Sequence, residues 1–188
     1  MHTAYIGIGG NVASWGGPPE STLAAAALRL QSFGQVAARS SLYSTEPVGF
    51  AEQPRFVNAA VALESILAPH ELLHSLMAIE KEFGRDRSAG VVNGPRTLDL
   101  DILLFDDLIL RERGLEIPHP RLAERAFVLV PLSEIAPKIV DPRSGRTVSQ
   151  LLHDLFPDSE SKSHAVFKLH NDDWHTGVDR SDTRSGRA

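Results

Sequence analysis

Between Gly94-Pro95 and Asp106-Asp107 the chain reads Arg96-Thr97-Leu98-Asp99-Leu100-Asp101-Ile102-Leu103-Leu104-Phe105, an apolar run bounded by turn formers at both ends. This predicts one strand that closes in a tight turn. Side chains alternate across a strand, so Leu98, Leu100, Ile102 and Leu104 are expected to form one unbroken apolar face. The other face begins with Thr97, Asp99 and Asp101. Two carboxylates so spaced lie about 7 Å apart and repel one another when partly desolvated. A divalent cation would offset that charge, and hard oxygen ligands suit magnesium. A face left in water needs no such partner, so the strand alone leaves both readings open.

A chain of 188 residues is most simply one domain, large enough to bury about 70% of its unfolded surface. The absence of Cys excludes a disulfide framework, a thiolate zinc site and a Cys nucleophile, and makes a cytoplasmic protein the default. The start Met1-His2-Thr3-Ala4-Tyr5 has no signal pattern, and no apolar run approaches membrane-spanning length, so no membrane partner is expected. A net charge of -5 argues against a broad footprint for nucleic acid. Any anion site must therefore be local.

Ala4 to Gly9 reads as a short buried strand running into the turn signal Gly9-Gly10-Asn11. A dinucleotide fingerprint is rejected, because Val12 stands where its third Gly belongs and Trp15-Gly16-Gly17-Pro18-Pro19 delays the helix. A flexible loop is expected there. Leu23, Ala26, Ala27, Leu30 and Phe33 recur at helical spacing over 19–33, and Gln35 to Tyr43 reads as a second strand. Arg55 to Leu63 alternates again, with Val57, Ala59, Val61 and Leu63 as the core face and Phe56, Asn58, Ala60 and Ala62 opposite, read as half-exposed. Pro69 opens a helix that Gly84 stops, and Glu80 lies on or beside its apolar stripe. An acid there is expensive unless an Arg or a ligand pairs with it.

The loop 85–96 carries Arg85, Arg87 and Arg96 and leads directly into the Asp99/Asp101 strand. Arg grips phosphate oxygens through paired hydrogen bonds, although a solvated loop carries Arg too. Leu108 to Leu110 is expected to return as a hairpin partner of that strand, and Pro118-His119-Pro120 holds a His in extended backbone. Pro131 is expected to interrupt the mixed pattern of Leu122 to Ile135, and Val148 to Phe156 reads as a last helix. The domain is placed at 1–157, with 158–188 a polar, mobile tail in which Ala165 to Leu169 and Trp174 are the docking candidates.

Taken in order, Gly9-Gly10-Asn11, Pro54-Arg55-Phe56-Val57-Asn58, Glu80, Gly84-Arg85, Gly94-Pro95-Arg96-Thr97-Leu98-Asp99-Leu100-Asp101 and Pro118-His119-Pro120 resemble the 6-hydroxymethyl-7,8-dihydropterin pyrophosphokinase family over roughly the first 155 residues. The resemblance implies a ferredoxin-like α+β fold, an antiparallel sheet with helices packed on it. It also implies pyrophosphate transfer from ATP to the pterin hydroxymethyl group by a monomer, with a non-catalytic nucleotide-binding domain on the same fold as the alternative. By the same resemblance Asp99 and Asp101 would hold two Mg2+ ions, and Arg85 and Arg96 would hold phosphates and act with them in catalysis. Glu80, Arg87, His119 and Arg125 fall to ATP. Thr45, Val48, Phe56, Asn58 and Phe127 fall to the pterin, with the two rings stacking on it. The chain departs from the family pattern in four places. Val92 and Asn93 stand where an arginine and an aromatic residue are common, and Phe56 and Pro120 where Tyr is frequent.

Overall fold

A computed structural model describes residues 1–47, 49, 52–87, 94–156, 166–170 and 174. The chain runs β1 (His2–Gly10), α1 (Pro19–Leu30), β2 (Gln35–Arg39), β3 (Leu42–Thr45), β4 (Phe56–Ser65), α2 (Pro69–Glu82) and β5 (Asp99–Phe105). Then come β6 (Leu110–Glu112), β7 (Leu115–Ile117), α3 (Ala126–Ile135), β8 (Val140–Asp141), β9 (Arg146–Thr147), α4 (Val148–Leu155) and β10 (Val166–Leu169). The main sheet is ordered β10-β3-β4-β1-β5, with β2 also on β4, and its pairings are antiparallel. With β2 and β3 counted as one interrupted strand, β1 to β5 follow the β-α-β-β-α-β connectivity of the ferredoxin-like α+β fold.

Both faces of the sheet are covered. The predicted core face of β4, Val57, Ala59, Val61 and Leu63, packs with Ile6 and Ile8 against Leu23 and Leu30 of α1 and Leu72 and Leu76 of α2. Ala60 on the other face is buried with Leu103 and Leu104 under Val128, Leu129 and Leu132 of α3 and Val148 and Leu151 of α4. That face is therefore not half-exposed, as the strand alone suggested. Its small side chains leave room for α3 to lie on the sheet. Local chemistry sets the helix limits: Pro69 opens α2, the Glu71 carboxylate accepts the Ala68 N–H at 2.8 Å, and Gly84 leaves at φ 83°.

Four further expectations are corrected. A β-bulge at Leu103, where Tyr5 pairs Leu104 but Ile6 pairs Ile102, breaks the apolar face of β5. Leu98, Leu100 and Ile102 stay on the α1/α2 side and are joined there by Phe105, while Leu104 moves to the α3 side. The second predicted strand splits into β2 and β3 at Ser40-Ser41. Leu110 does not return along β5, because β6 pairs β7 across a tight turn in which Gly114 takes φ 88°. Pro131 lies inside α3, where the hydrogen bond it forfeits is to Phe127 in the first turn. In the C-terminal stretch the docking candidates do dock: β10 pairs along β3, and Trp174 is fully buried. Apolar side chains at Val166 and Trp174 give that stretch core to join.

The first loop is fastened to α2, since Trp15 stacks on Phe83 with ring centres 4.9 Å apart and its Nε1 donates to the Glu82 carbonyl at 2.7 Å. Among the described residues, no helix is long and apolar enough to cross a membrane.

Candidate active site

A cleft opens over the α3 side of β1, β4 and β5. Its floor is β1 at Gly7 and Gly9, with Leu103 delivered by the bulge. Thr45, Phe56 and Asn58 wall one side, Arg96, Asp99 and Asp101 another, and Arg125 and Phe127 at the start of α3 close it. The bare backbone of β1 is a steric requirement. A Cβ on Gly9 would run into the Asn58 amide oxygen, and one on Gly10 into the Thr97 carbonyl. Gly7, Gly9 and Gly10 thus serve close approach in an antiparallel sheet, which accounts for glycines that mimic part of a dinucleotide fingerprint.

Two arginines hold Asp99. Arg85 Nη2 lies 3.2 Å from Oδ1 and Arg96 Nη1 lies 2.6 Å from Oδ2. Arg85 also donates to the Leu98 carbonyl at 3.2 Å. Asp101 is in a different state. Burial first, then the carboxylates of Asp99 and Glu80, push it up to about 6, against the pull of Arg125 and Arg87. Among the described residues, no group of three or more His, Cys, Asp or Glu is placed to cage a metal. Magnesium does not need such a cage, because it binds through one or two carboxylates and completes its shell with water and phosphate oxygens. The Asp99/Asp101 pair fits that ion.

Behind β5, Glu80 is 1% exposed. Its Oε1 accepts the Leu100 N–H at 2.9 Å, and its Oε2 accepts from Arg87 Nε at 2.8 Å and Nη2 at 2.6 Å. Since β5 is the edge of the sheet among the described residues, the outward Leu100 N–H meets no strand there, and Glu80 supplies its acceptor. Burial pushes Glu80 up, while the Leu100 amide and Arg87 pull it down. Glu80, Arg85 and Arg87 line a separate hollow with Met77 and Gly84.

His119 is tied to the bulge, its N–H donating to the Leu103 carbonyl at 2.9 Å. Its Nδ1 accepts the Arg121 N–H at 3.1 Å, which places the ring proton on Nε2. Burial, followed by Arg125 and Arg143, pushes His119 down to about 4, so it is neutral at pH 7.

The aromatic slot is flanked by cations. Arg96 lies over Phe56 at 5.2 Å and Arg125 over Phe127 at 5.3 Å. Asn58 Nδ2 donates to Thr45 Oγ1 at 2.8 Å, giving the slot a polar rim. Among the described residues, Arg125 Nε is buried with no hydrogen-bond partner, as a donor kept for a ligand acceptor would be.

Eight of the predicted site residues thus line one cleft: Thr45, Phe56, Asn58, Arg96, Asp99, Asp101, Arg125 and Phe127. Arg85 reaches it through Asp99, Glu80 and Arg87 stand behind β5, and His119 stands beside Leu103. Val48 lies outside the described residues, as do Val92 and Asn93. Sequence reasoning gave Asn11 no role in the site, yet this buried amide joins three segments. It donates to Gln53 and to the Pro54 carbonyl at 3.0 Å each and accepts the Arg96 N–H at 2.8 Å. The only signal for it was its place in Gly9-Gly10-Asn11.

Comparisons with known proteins bear on the family and the fold. The family model for 7,8-dihydro-6-hydroxymethylpterin-pyrophosphokinase (HPPK) matches residues 5–137. The chain is 46% identical over 156 residues to a Synechocystis protein named 2-amino-4-hydroxy-6-hydroxymethyldihydropteridine pyrophosphokinase, covering 82% of this chain and 76% of the relative. A Pseudomonas aeruginosa protein of the same name is 47% identical over 154 residues, covering 81% and 91% respectively. A solved Plasmodium falciparum HPPK-DHPS chain, crystallised with pterin and p-hydroxybenzoate, superposes with a TM-score of 0.68 at 15% identity. The match covers 90% of this chain but only 45% of that one, and at such identity it bears on fold alone. By the family match and by relatives near one-half identity, this chain belongs to the 7,8-dihydro-6-hydroxymethylpterin-pyrophosphokinase family.

Proposed function

We propose that the chain transfers pyrophosphate from ATP to the hydroxymethyl group of 6-hydroxymethyl-7,8-dihydropterin, a step of folate biosynthesis. The observation that carries the reading is the meeting, in one cleft, of a carboxylate pair, arginines and a polar-rimmed aromatic slot. The flat pterin fits between Phe56 and Phe127, with Asn58 and Thr45 available to its hydrogen-bonding edge. Asp99 and Asp101 are the groups to hold magnesium, taken as two ions, whose chemistry when bound is to neutralise phosphate charge and align the displacement.

In the reaction the pterin hydroxyl oxygen bonds to the β-phosphorus as its proton passes to solvent, the bond from that phosphorus to the α–β bridging oxygen breaks, and AMP leaves with that oxygen. Arg85 and Arg96 now neutralise Asp99. A triphosphate offers both guanidiniums a more highly charged partner and frees the Asp99 carboxylate. The same arginines then stabilise charge on the transferring group. The unpartnered Nε of Arg125 and the neutral Nε2–H of His119 are donors for the nucleotide. Glu80 and Arg87 act on the nucleotide side by holding β5 at Leu100. The absence of Cys supports a cytoplasmic setting.

The test is magnesium-dependent AMP formation from ATP, measured with and without the hydroxymethylpterin. AMP is expected only with both substrates, and Asp99→Ala and Asp101→Ala abolish it. ATP binding by calorimetry without turnover would instead establish a nucleotide-binding domain.

A further inference from the structure

β3 forms one wall of the slot, yet it is built as a weak element. It is four residues long and pairs β4 only at Tyr43, Ser44 and Thr45. Its last residue carries the hydroxyl that the Asn58 amide bonds. Left as a sheet edge, such a strand frays, because its outward backbone groups are satisfied by water alone.

The C-terminal segment reaches this strand from both ends. β10 pairs β3 along its whole length, from Val166 opposite Thr45 to Leu169 opposite Leu42. At the other end, Trp174 is fully buried and its Nε1 donates to the carbonyl of Ser40, the residue at which β2 breaks into β3. Arg39 closes on the same indole, donating to the Trp174 carbonyl at 3.3 Å with its guanidinium 5.6 Å from the ring centre. From the α3 side, Glu134 accepts from Ser41 N and Oγ and from the Tyr43 hydroxyl, and Lys168 of β10 donates to the same carboxylate at 3.1 Å. Apart from the Lys168–Glu134 bond, which ties β10 to the same carboxylate, every contact named here ends on residues 39–45. None of the partners from β10 onward falls in residues 5–137, the part of the chain that the family model matches.

We propose that β10 and Trp174 form a clamp that positions β3, so that Trp174 is a positioning residue for the pterin although it touches neither substrate. This rests on the pterin slot proposed above. The clamp acts through Thr45 on the Asn58 amide, and the carboxylate pair on β5 lies at the far edge of the sheet. Its loss is therefore expected to weaken pterin binding and leave ATP binding alone.

The experiment is steady-state kinetics on full-length Trp174→Phe and Trp174→Ala. Trp174→Phe keeps an aromatic ring in the buried site and removes the indole N–H together with one ring of the bicycle, so it serves if Trp174→Ala does not fold. The pterin KM is expected to rise about fivefold in Trp174→Phe, the size of one lost hydrogen bond, and further in Trp174→Ala. The ATP KM stays within about twofold of wild type. An unchanged pterin KM in folded Trp174→Phe overturns the clamp, as does an equal rise in both KM values, which marks general loosening. Asn58→Ala separates this inference from the reading beneath it. A raised pterin KM there with none in Trp174→Phe removes the clamp alone, whereas no rise in Asn58→Ala removes the slot and the clamp together.

Discussion

Glu80→Ala is the substitution whose cost can be worked most directly from the structure. The Leu100 N–H that Glu80 accepts sits on a buried edge residue, and leaving such an amide unpaired costs about 1–3 kcal/mol. Arg87 is 49% exposed at its side chain, so its freed guanidinium returns to water and adds only about 1 kcal/mol. Against this, Ala relieves the burial of a carboxylate that its surroundings push up. The expected net loss is about 2–3 kcal/mol in urea unfolding, read at constant m-value. Glu80→Gln keeps an acceptor for Leu100 and gives up the charge, so it should lose about 1 kcal/mol or less. A second reading comes from Asp101, which Glu80 helps to push up to about 6. Carboxyl NMR titration of metal-free Glu80→Gln should find Asp101 lower than in wild type. Equal stability of wild type and Glu80→Ala would refute the idea that Glu80 holds β5. An unmoved Asp101 would refute its electrostatic part.

Three further outcomes are expected. Phe127→Ala should raise the pterin KM by about tenfold or more while leaving the ATP KM near wild type, because it removes one stacking face of the slot; equal changes for both substrates in steady-state assays would contradict the slot. His119 is pushed from 6.5 to about 4, so between those pH values the unfolded chain takes up a proton that the folded protein refuses. Stability from this group is complete above about pH 6.5, is lost as the pH falls, and changes by about 3 kcal/mol in all; His119→Gln should flatten the acid limb of unfolding curves by that amount. Removing magnesium with a chelator should stop AMP formation and leave urea stability nearly unchanged, since Arg85 and Arg96 already neutralise Asp99 in the metal-free protein. Re-addition of the ion should restore activity fully.

Much of the central fold was legible because it rests on local periodicity. The alternation in β4 and the helical spacing in α1 and α2 marked residues that do face one core. Asp99 and Asp101 were legible for the same reason, as two charges on the non-core side of an apolar strand. The errors fall where a single residue changes register or where a partner lies far along the chain. Leu103 adds one residue to β5 and so reverses Leu104 and Phe105, which alternation alone cannot foresee. Gly114 made the β6–β7 turn the stronger local pairing. Val166 and Trp174 were marked as docking candidates, but what they dock on was not legible, because the strand and the carbonyl they meet lie more than a hundred residues earlier.

The sequence by itself determined which segments are amphipathic, which side chains carry charge and aromatic surface, and, through the Pro-Arg-Thr-Leu-Asp-Leu-Asp run, which family the chain resembles. Those properties are set by neighbours within a few positions. Tertiary structure alone decided what each charge is paired with. Glu80 became the cap of an edge strand by meeting Leu100, Asp99 became a doubly held carboxylate by meeting Arg85 and Arg96, and Asn11 became the joint of three loops. The physical reason is that a buried polar group must find its partner wherever the fold places one, and distance along the chain carries almost no information about that place.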